Sequence, residues 1–321
     1  MKKNKLTFIL TELVLVVLAA FFISRIFADN EPQKRVAVIV EDSGDKRWDA
    51  LLNGLKQSAK NNNLHLIICN TDLIENAEDE KELINEQLQN NADAFIICPA
   101  PGRKTKDMLG QLQGEKPFVL ILDDAYTKGT SGYVTVKPDN YKMGQMIAEQ
   151  LIQDDTEQLR NKKVGVVLGK AETEEAANRI AGLKDGLEGY DCEIAWEYNY
   201  ARGSQNISDI IASKEQVDYL VVLDNWALEE LGEAAEENKY YGAQIYGVGN
   251  SEKAIVLLDN QNIKCLLVPD DYETGYMSMN EIAKKLRHSF YKMNSCETEV
   301  RIINKEDLYS KDLERFLYSY E

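Results

Sequence analysis

The feature that most constrains this chain is a repeat. From Arg35 onward, short β-branched or apolar runs alternate with amphipathic stretches, and a series of five such runs occurs twice. The first series is Val36–Val40, Leu64–Cys69, Ala94–Cys98, Phe118–Leu122 and Tyr133–Val136. The second is Val164–Leu168, Cys192–Trp196, Tyr219–Leu223, Gln244–Val248 and Ile263–Val268. Matched in order, the runs are offset by 128, 128, 125, 126 and 130 residues. Apolar strands separated by amphipathic helices make parallel sheets, because helical crossovers cover both sheet faces. The repeat therefore predicts an α/β chain of two doubly wound lobes of similar topology, with ligand-facing loops at the carboxyl ends of the strands and a cleft between the lobes.

Helical spacing supports this reading. Trp48, Leu51, Leu52, Leu55 and Ala59 share one face of a helix expected over 47–61, and further helices are expected over 77–90, 140–152 and 174–187. The tail from Lys305 to Glu321 reads as one last amphipathic helix, with Leu308, Leu313, Phe316, Leu317 and Tyr320 on its apolar side.

Charge and composition narrow the function. With 37 Lys+Arg against 54 Asp+Glu, the net charge is −17, and no basic stripe follows the first five residues. Nucleic-acid binding is excluded on that ground, since a phosphate backbone is held by clustered cations. The two histidines, His65 and His288, are 223 positions apart, which leaves little for His-based metal sites or nucleophile triads. His65 reads as a strand residue and His288 as a solvated one. Five scattered cysteines without a CxxC indicate neither zinc nor a disulfide scaffold. Cys69 and Cys98 are expected to end strands flanking Val36–Val40, too far apart to be bonded to each other. Gly165-Val-Val-Leu-Gly169-Lys170-Ala171 has three residues between its glycines, and Ala171 where a phosphate loop needs Ser or Thr, so it is not a nucleotide site.

The first 30 residues form their own segment. Met-Lys-Lys-Asn-Lys precedes a mostly apolar run of 22 residues from Leu6 to Phe27, which as a helix would rise about 33 Å and cross a bilayer core. Its longest uncharged stretch, Leu13–Ser24, has 12 residues and also suits a cleavable signal. Poor small-residue placement before Asn30 favours an uncleaved anchor, a single N-terminal transmembrane helix in the cell membrane. Lysines on one side of the run and Arg25, Lys34 and Arg35 near the other leave its orientation open.

Several ordered motifs then carry a resemblance. These are Val36-Ala-Val-Ile-Val40 followed by Trp48 and Gly54-Leu55; Leu122-Asp123; Val134-Thr-Val-Lys-Pro-Asp139-Asn140 with Gly144; Ala177-Asn-Arg179-Ile-Ala-Gly182-Leu183; Leu223-Asp224-Asn225; Tyr246-Gly-Val-Gly249; and Asp271-Tyr-Glu-Thr-Gly275. Over residues 35–304 the chain resembles the periplasmic binding proteins of the ribose-binding type. That resemblance implies two Rossmann-like lobes with three hinge crossings: lobe 1 from 35–137 plus 270–298, lobe 2 from 138–269 plus 299–321, with 305–321 as the C-terminal helix. It implies an extracytoplasmic solute-binding protein, not an enzyme and without a cofactor. Such a protein closes on a small polar ligand, a sugar or a related compound, and presents it to an ABC permease or a membrane sensor kinase. A transcription regulator of the same fold would need a DNA-reading helix-turn-helix where this chain has its apolar segment.

The same resemblance implies where ligand contacts fall. Asp45, Arg47 and Trp48 lie on the first loop, Asp123 follows the fourth strand, and Arg179 begins a helix. Tyr200 stands where the family often has an aromatic, and Asp224, Asn225, Asn250 and Asp270 lie at later strand ends. Leu223, Gly249 and Pro269 replace three of the family's hydroxyl ligands, which puts an ordinary pentose or hexose in question. Acids gathered near these loops, among them Glu41, Asp42, Asp45, Asp123, Asp124, Asp224, Asp270 and Asp271, keep an amine-bearing, cationic or calcium-bridged ligand open. Two other classes remain beside this reading. One is a protein-interaction scaffold on a degenerate cleft; the other is a glycosidase-like pair of Asp123 with Asp224, which would need carboxyls about 5–9.5 Å apart.

Overall fold

The computed structural model describes residues 8, 11–22, 33–155, 159–202 and 206–318. Residues 1–34 form one unit and 35–321 another. In the first unit, residues 11–22 are helical (α1), and their apolar side chains, Leu13 to Leu18, Phe21 and Phe22, are exposed. Among the described residues no helix is long and apolar enough to cross a membrane. The spanning helix expected of residues 1–30 is therefore not found among them: twelve helical residues rise about 18 Å, short of a core about 30 Å thick. The remainder of 1–30 lies outside the described residues.

The second unit holds two six-stranded sheets. In the first, β1 (Arg35–Ile39) is flanked by β2 (His65–Ile68) and β3 (Ala94–Ile97), followed by β4 (Phe118–Ile121), β5 (Thr135–Pro138) and β11 (Cys296–Thr298). In the second, β6 (Lys162–Leu168) is flanked by β7 (Cys192–Asn199) and β8 (Tyr219–Val222), then β9 (Gln244–Val248), β10 (Cys265–Pro269) and β12 (Val300–Ile303). All pairings are parallel except β10 with β12. The order 2-1-3-4-5 thus occurs twice, as the spacing of the apolar runs requires. β1, β3, β4 and β8 are buried along almost their whole length, the condition of a parallel strand covered on both faces.

The chain passes between the sheets three times. It leaves β5 at Asp139 for α5 (Asn140–Asp154), which packs beside the second sheet. It leaves β10 at Asp270 for α10 (Asp271–Arg287), which packs on the first, and it joins β11 to β12 through Glu299. Both returning helices lie almost backbone to backbone against the helix that follows the first strand of the sheet. α10 crosses α2 (Asp49–Asn61), where a Cβ on Gly54 would stand 2.1 Å from the Tyr272 carbonyl oxygen. α5 crosses α6 (Glu174–Gly186), where a Cβ on Gly182 would stand 1.9 Å from the Tyr141 carbonyl oxygen. Only glycine permits such approaches.

Each sheet is sandwiched between helices. α2 and α10 cover one face of the first sheet around Leu51, Leu55, Met279 and Ile282. α3 (Ala77–Gln89) and α4 (Thr105–Gln113) cover the other around Ile84, Leu109 and Phe95. On the second sheet α5 and α6 lie opposite α7 (Ile207–Ala212), α8 (Asn225–Ala235) and α9 (Glu252–Asp259). The tail is not one helix. A 3-10 turn at Lys305–Asp307 precedes α11 (Lys311–Tyr318), because the Ser310 hydroxyl accepts from the Leu313 amide at 3.2 Å and restarts the helix there. Leu313 and Leu317 of α11 are buried in the core of the second sheet. All five cysteines are free.

Candidate functional site

The loops at the carboxyl ends of the two sheets face one another across a cavity of about 130 Å³, far below the roughly 300–1,000 Å³ of a pocket for a drug-sized molecule. The first sheet contributes Glu41, Arg47, Trp48, Cys98, Leu122 and Asp123, and α10 contributes Asp271. The second contributes Lys170, Thr173, Glu175, Arg179, Asp224, Asn225, Trp226 and Asn250.

Local chain geometry places the side chains. After β4 the Asp123 amide donates to the Ile121 carbonyl at 2.7 Å around Leu122, whose φ is +64°. This tight γ-turn is strained for a branched residue, and it turns Asp123 into the cleft. There Oδ1 of Asp123 accepts from the Asp124 amide at 2.8 Å and, across the cleft, from the Glu175 amide at 2.9 Å. Burial, then the charges of Glu175 and Glu174, push the Asp123 carboxyl well above the ordinary range. The neighbouring Glu174 shifts the other way: its burial is outweighed by Lys137, 3.0 Å away, which lowers its carboxyl below the ordinary value.

Arg47 fills much of the first-sheet side. Its guanidinium carbon is 3.0 Å from the Trp226 ring centroid and 4.1 Å from that of Trp48, and its NH2 pairs with Glu41 at 3.3 Å. Arg202 lies on Trp226 as well, 4.4 Å from the centroid. Trp48 is 3% exposed, packs with Leu51, Leu55 and Val38, and donates its indole N–H to the Glu41 carbonyl at 2.9 Å. It is a core residue whose remaining face lies under Arg47, so it offers no open platform for a sugar ring.

Arg179 is 5% exposed. Its Nε donates to Asn140 Oδ1 at 3.1 Å, and NH1 donates to the Leu223 carbonyl at 2.9 Å and pairs with Glu175. Asp224 caps α8, accepting from the Ala227 amide at 2.8 Å, and burial raises its carboxyl to about 6. Asn225 Oδ1 accepts from the Asn250 amide at 3.1 Å, and the Asn250 side chain donates to Asp271. Burial raises Asp271 to about 7. Asp45 sits at the rim, capping the 3-10 turn Lys46–Trp48 and accepting from Trp226 Nε1 at 2.9 Å. Burial alone would raise its carboxyl, but the Arg47 amide, the Trp226 indole and the charges of Arg47 and Arg202 hold it below its ordinary value.

Two residues singled out in the sequence lie elsewhere. Tyr200 is 4% exposed in the core of the second sheet, its hydroxyl on Glu230 at 2.8 Å, because the chain after β7 runs along the far helical layer. Asp270 is the cap of α10, accepting from the Glu273 amide at 2.7 Å, and it is Asp271, one residue on, that lines the cavity. Asp-x-x-Glu at the start of a helix is a capping pattern, and that signal assigns Asp270 to the helix rather than to the ligand. Glu41 and Asp271, named in the sequence among the acids near these loops, line the cavity with Trp226, the neighbour of Asn225, and so do Lys170 and Glu175, which no sequence signal singled out as contacts.

Polar bridges join the two sides. Lys170 pairs with Glu41 and donates to the Ile74 carbonyl at 3.1 Å; Arg202 pairs with Asp42 and with Asp45 at 3.0 Å. The lobes are therefore closed on each other.

A sequence profile of the periplasmic binding protein domain matches residues 36–289. The chain belongs to the periplasmic binding protein domain family. No curated protein sequence matches it. Among solved structures, a carbohydrate transporter solute-binding protein from Agrobacterium radiobacter in complex with D-arabinose aligns with TM-score 0.79 at 16% identity, over 90% of this chain and 100% of that one. GanP, a glucose-galactose binding protein from Geobacillus stearothermophilus, aligns with TM-score 0.75 at 17% identity, over 87% of this chain and 100% of its own. A chain of the XylFII-LytSN complex aligns with TM-score 0.72 at 16% identity, over 87% and 100%. At these identities the likeness is one of fold. As a family of solute-binding proteins, periplasmic binding proteins are not enzymes.

Proposed function

We propose that this periplasmic binding protein captures one small polar ligand of the sugar class between its lobes, outside the cytoplasm, and presents the closed form to a membrane partner. The observation that carries the reading is the cavity itself. It lies between the two sheets at their carboxyl ends, it is small, and it is lined by hydrogen-bonding side chains from both lobes. Closure of hinged lobes is then the event a partner reads.

The tether belongs to the same proposal. The apolar side chains of residues 13–18, 21 and 22 are exposed all round α1, and a helix apolar on every side needs an apolar surrounding. Held at a membrane, the domain would serve an ABC permease or a sensor kinase. The carbohydrate transporter neighbour supports the first as a precedent of fold.

Thermal unfolding of the full chain in mild detergent, across sugars, polyols and nucleosides, tests the reading. A ligand at about 100 times its Kd stabilises the fold by roughly 2.7 kcal/mol, and Asp123→Ala and Arg179→Ala are expected to abolish the shift. Loss of membrane retention on deleting residues 1–30 tests the tether.

A second reading has its own observation. Arg47 and Arg202 occupy the Trp226 ring, and Lys170–Glu41, Arg202–Asp42 and Asn250–Asp271 bridge the lobes directly. A lobe pair held shut by its own side chains would serve as an interaction scaffold, and absence of a shift with every compound favours it.

A further inference from the structure

The hydrogen-bonding groups of the cavity divide unevenly. Its side-chain donors are almost all engaged by the protein. Lys170 is held by Glu41 and the Ile74 carbonyl, Arg179 by Asn140, Glu175 and the Leu223 carbonyl, and Trp226 by Asp45. Asn225 gives its amide to Glu229 at 3.3 Å, and Asn250 gives its own to Asp271. The acceptors are not engaged in the same way. Asp271 is 6% exposed, and its Oδ1 is buried with no hydrogen-bond partner among the described residues. Asp224 is 9% exposed and uses Oδ1 to cap α8, while its Oδ2 takes no hydrogen bond among the described residues. Neither carboxylate is in an ion pair, and the two come from opposite sides of the cleft.

An unpartnered buried carboxylate oxygen is costly unless a donor reaches it, and most costly unless that donor is charged. A metal ion does not fit: among the described residues no three acidic, His or Cys side chains converge as metal ligands would. A protonated amine fits, since it brings positive charge and three N–H donors and accepts nothing. One donor is also unspent, the buried Nε of Arg47, and it calls for an acceptor such as a hydroxyl on the same ligand.

From this we infer that the cavity takes a small polyhydroxylated primary amine, of the amino-sugar class, with its ammonium between Asp271 and Asp224 and a hydroxyl toward Arg47. The inference rests on the solute-binding reading and specifies its ligand. Burial holds Asp224 and Asp271 above the ordinary carboxylate range even though the charges of Arg47 and Arg179 act against it.

Trp48 and Trp226 line the cavity, so tryptophan fluorescence reads its occupancy. The full chain in mild detergent is titrated at pH 7.5 with D-glucosamine, D-galactosamine and glucamine, with glucose, galactose and sorbitol as neutral counterparts, and with N-acetyl-D-glucosamine, which keeps the nitrogen and removes its charge. Expected is saturable binding of at least one amine, tenfold or more tighter than its neutral counterpart. That preference should be lost in Asp271→Asn and weakened in Asp224→Asn, with unfolding curves showing both variants folded; if one does not fold, the other carries the test. Neutral sugars bound as tightly as the amines overturn the amine inference and leave the solute-binding reading standing. No saturable response to any compound overturns both.

Discussion

The two lobes repeat one scaffold and differ at one end of it. Both run 2-1-3-4-5 and cross their hinge helix over the helix after the first strand at a pair of glycines, Gly54 with Gly275 in one lobe and Gly182 with Gly144 in the other. At the strand ends the likeness stops. After β1 the first lobe has Glu41, Asp42 and Asp45, whereas after β6 the second has Gly169 and Lys170, with Arg202 following β7. Glu41 and Asp42 of the first rim thus meet Lys170 and Arg202 of the second, and the pairs Lys170–Glu41 and Arg202–Asp42 join the two. The scaffold is duplicated because packing demands it. The rims diverge because nothing in the sheets constrains them, and opposite charges on facing rims favour closure.

If the glycine crossings are equivalent, Gly54→Ala and Gly182→Ala should each cost about 3 kcal/mol or more, since the clash is with backbone that cannot yield. In a domain of this size that is a fall in Tm of about 6–12 °C by calorimetry. Gly189→Ala, at φ +89° in open space, should cost no more than about 1–2 kcal/mol. A large fall in only one of the first two would show that the lobes differ in their packing as well as at their rims.

The buried carboxyls sharpen the comparison by pH. Asp271 on the first-lobe side is raised to about 7 and Asp224 on the second to about 6, both chiefly by burial, and Glu80 in the first lobe is raised to about 8. Unfolded, such groups titrate near 4. The folded chain therefore binds more protons than the unfolded one between about pH 4 and 8, and stability is greatest at the acid end of that window and falls as pH rises. The unliganded protein is expected to lose about 2 kcal/mol or more, roughly 4–8 °C in Tm, between pH 5 and 8. Asp271→Asn should flatten the curve near pH 7 and Asp224→Asn near pH 6. A curve rising with pH would remove this account of the cleft.

Breaking the rim pairs should open the lobes without unfolding them. These side chains are a quarter or so exposed, so each pair contributes about 0.2–1 kcal/mol, and Lys170→Ala with Arg202→Ala should shift the closed–open ratio by about twofold to thirtyfold. A larger radius of gyration by solution X-ray scattering at unchanged Tm is the expected result; an unchanged radius would place closure in the cavity rather than at the rims. The smallest effect is expected from Tyr200→Phe, about 1 kcal/mol for the lost bond to Glu230, with ligand affinity untouched.

How far the site was legible follows the same division. Asp123, Asp224, Asn225 and Asn250 could be pointed to because each sits at a strand end or a helix start, and Arg179 because the family motif carries it, although it lies in the second turn of α6; the cavity is lined by all five. Tyr200 could not be told from a cleft residue, because its run of sequence gives no sign of which helical layer the chain enters after β7. Trp48 reads equally as core or platform until Arg47 is seen lying over it.

The sequence by itself determined the two sheets and their common strand order. Strand burial and helix periodicity are local patterns, and 128-residue spacing repeats them. Only the tertiary structure decided which acids meet. That Asp270 caps a helix while Asp271 enters the cavity, and that Glu41 and Lys170 bridge the cleft from 129 positions apart, depends on how two separately folded sheets are set face to face. No local pattern carries that geometry, because the loops that supply it are held by the sheets and not by their own sequence.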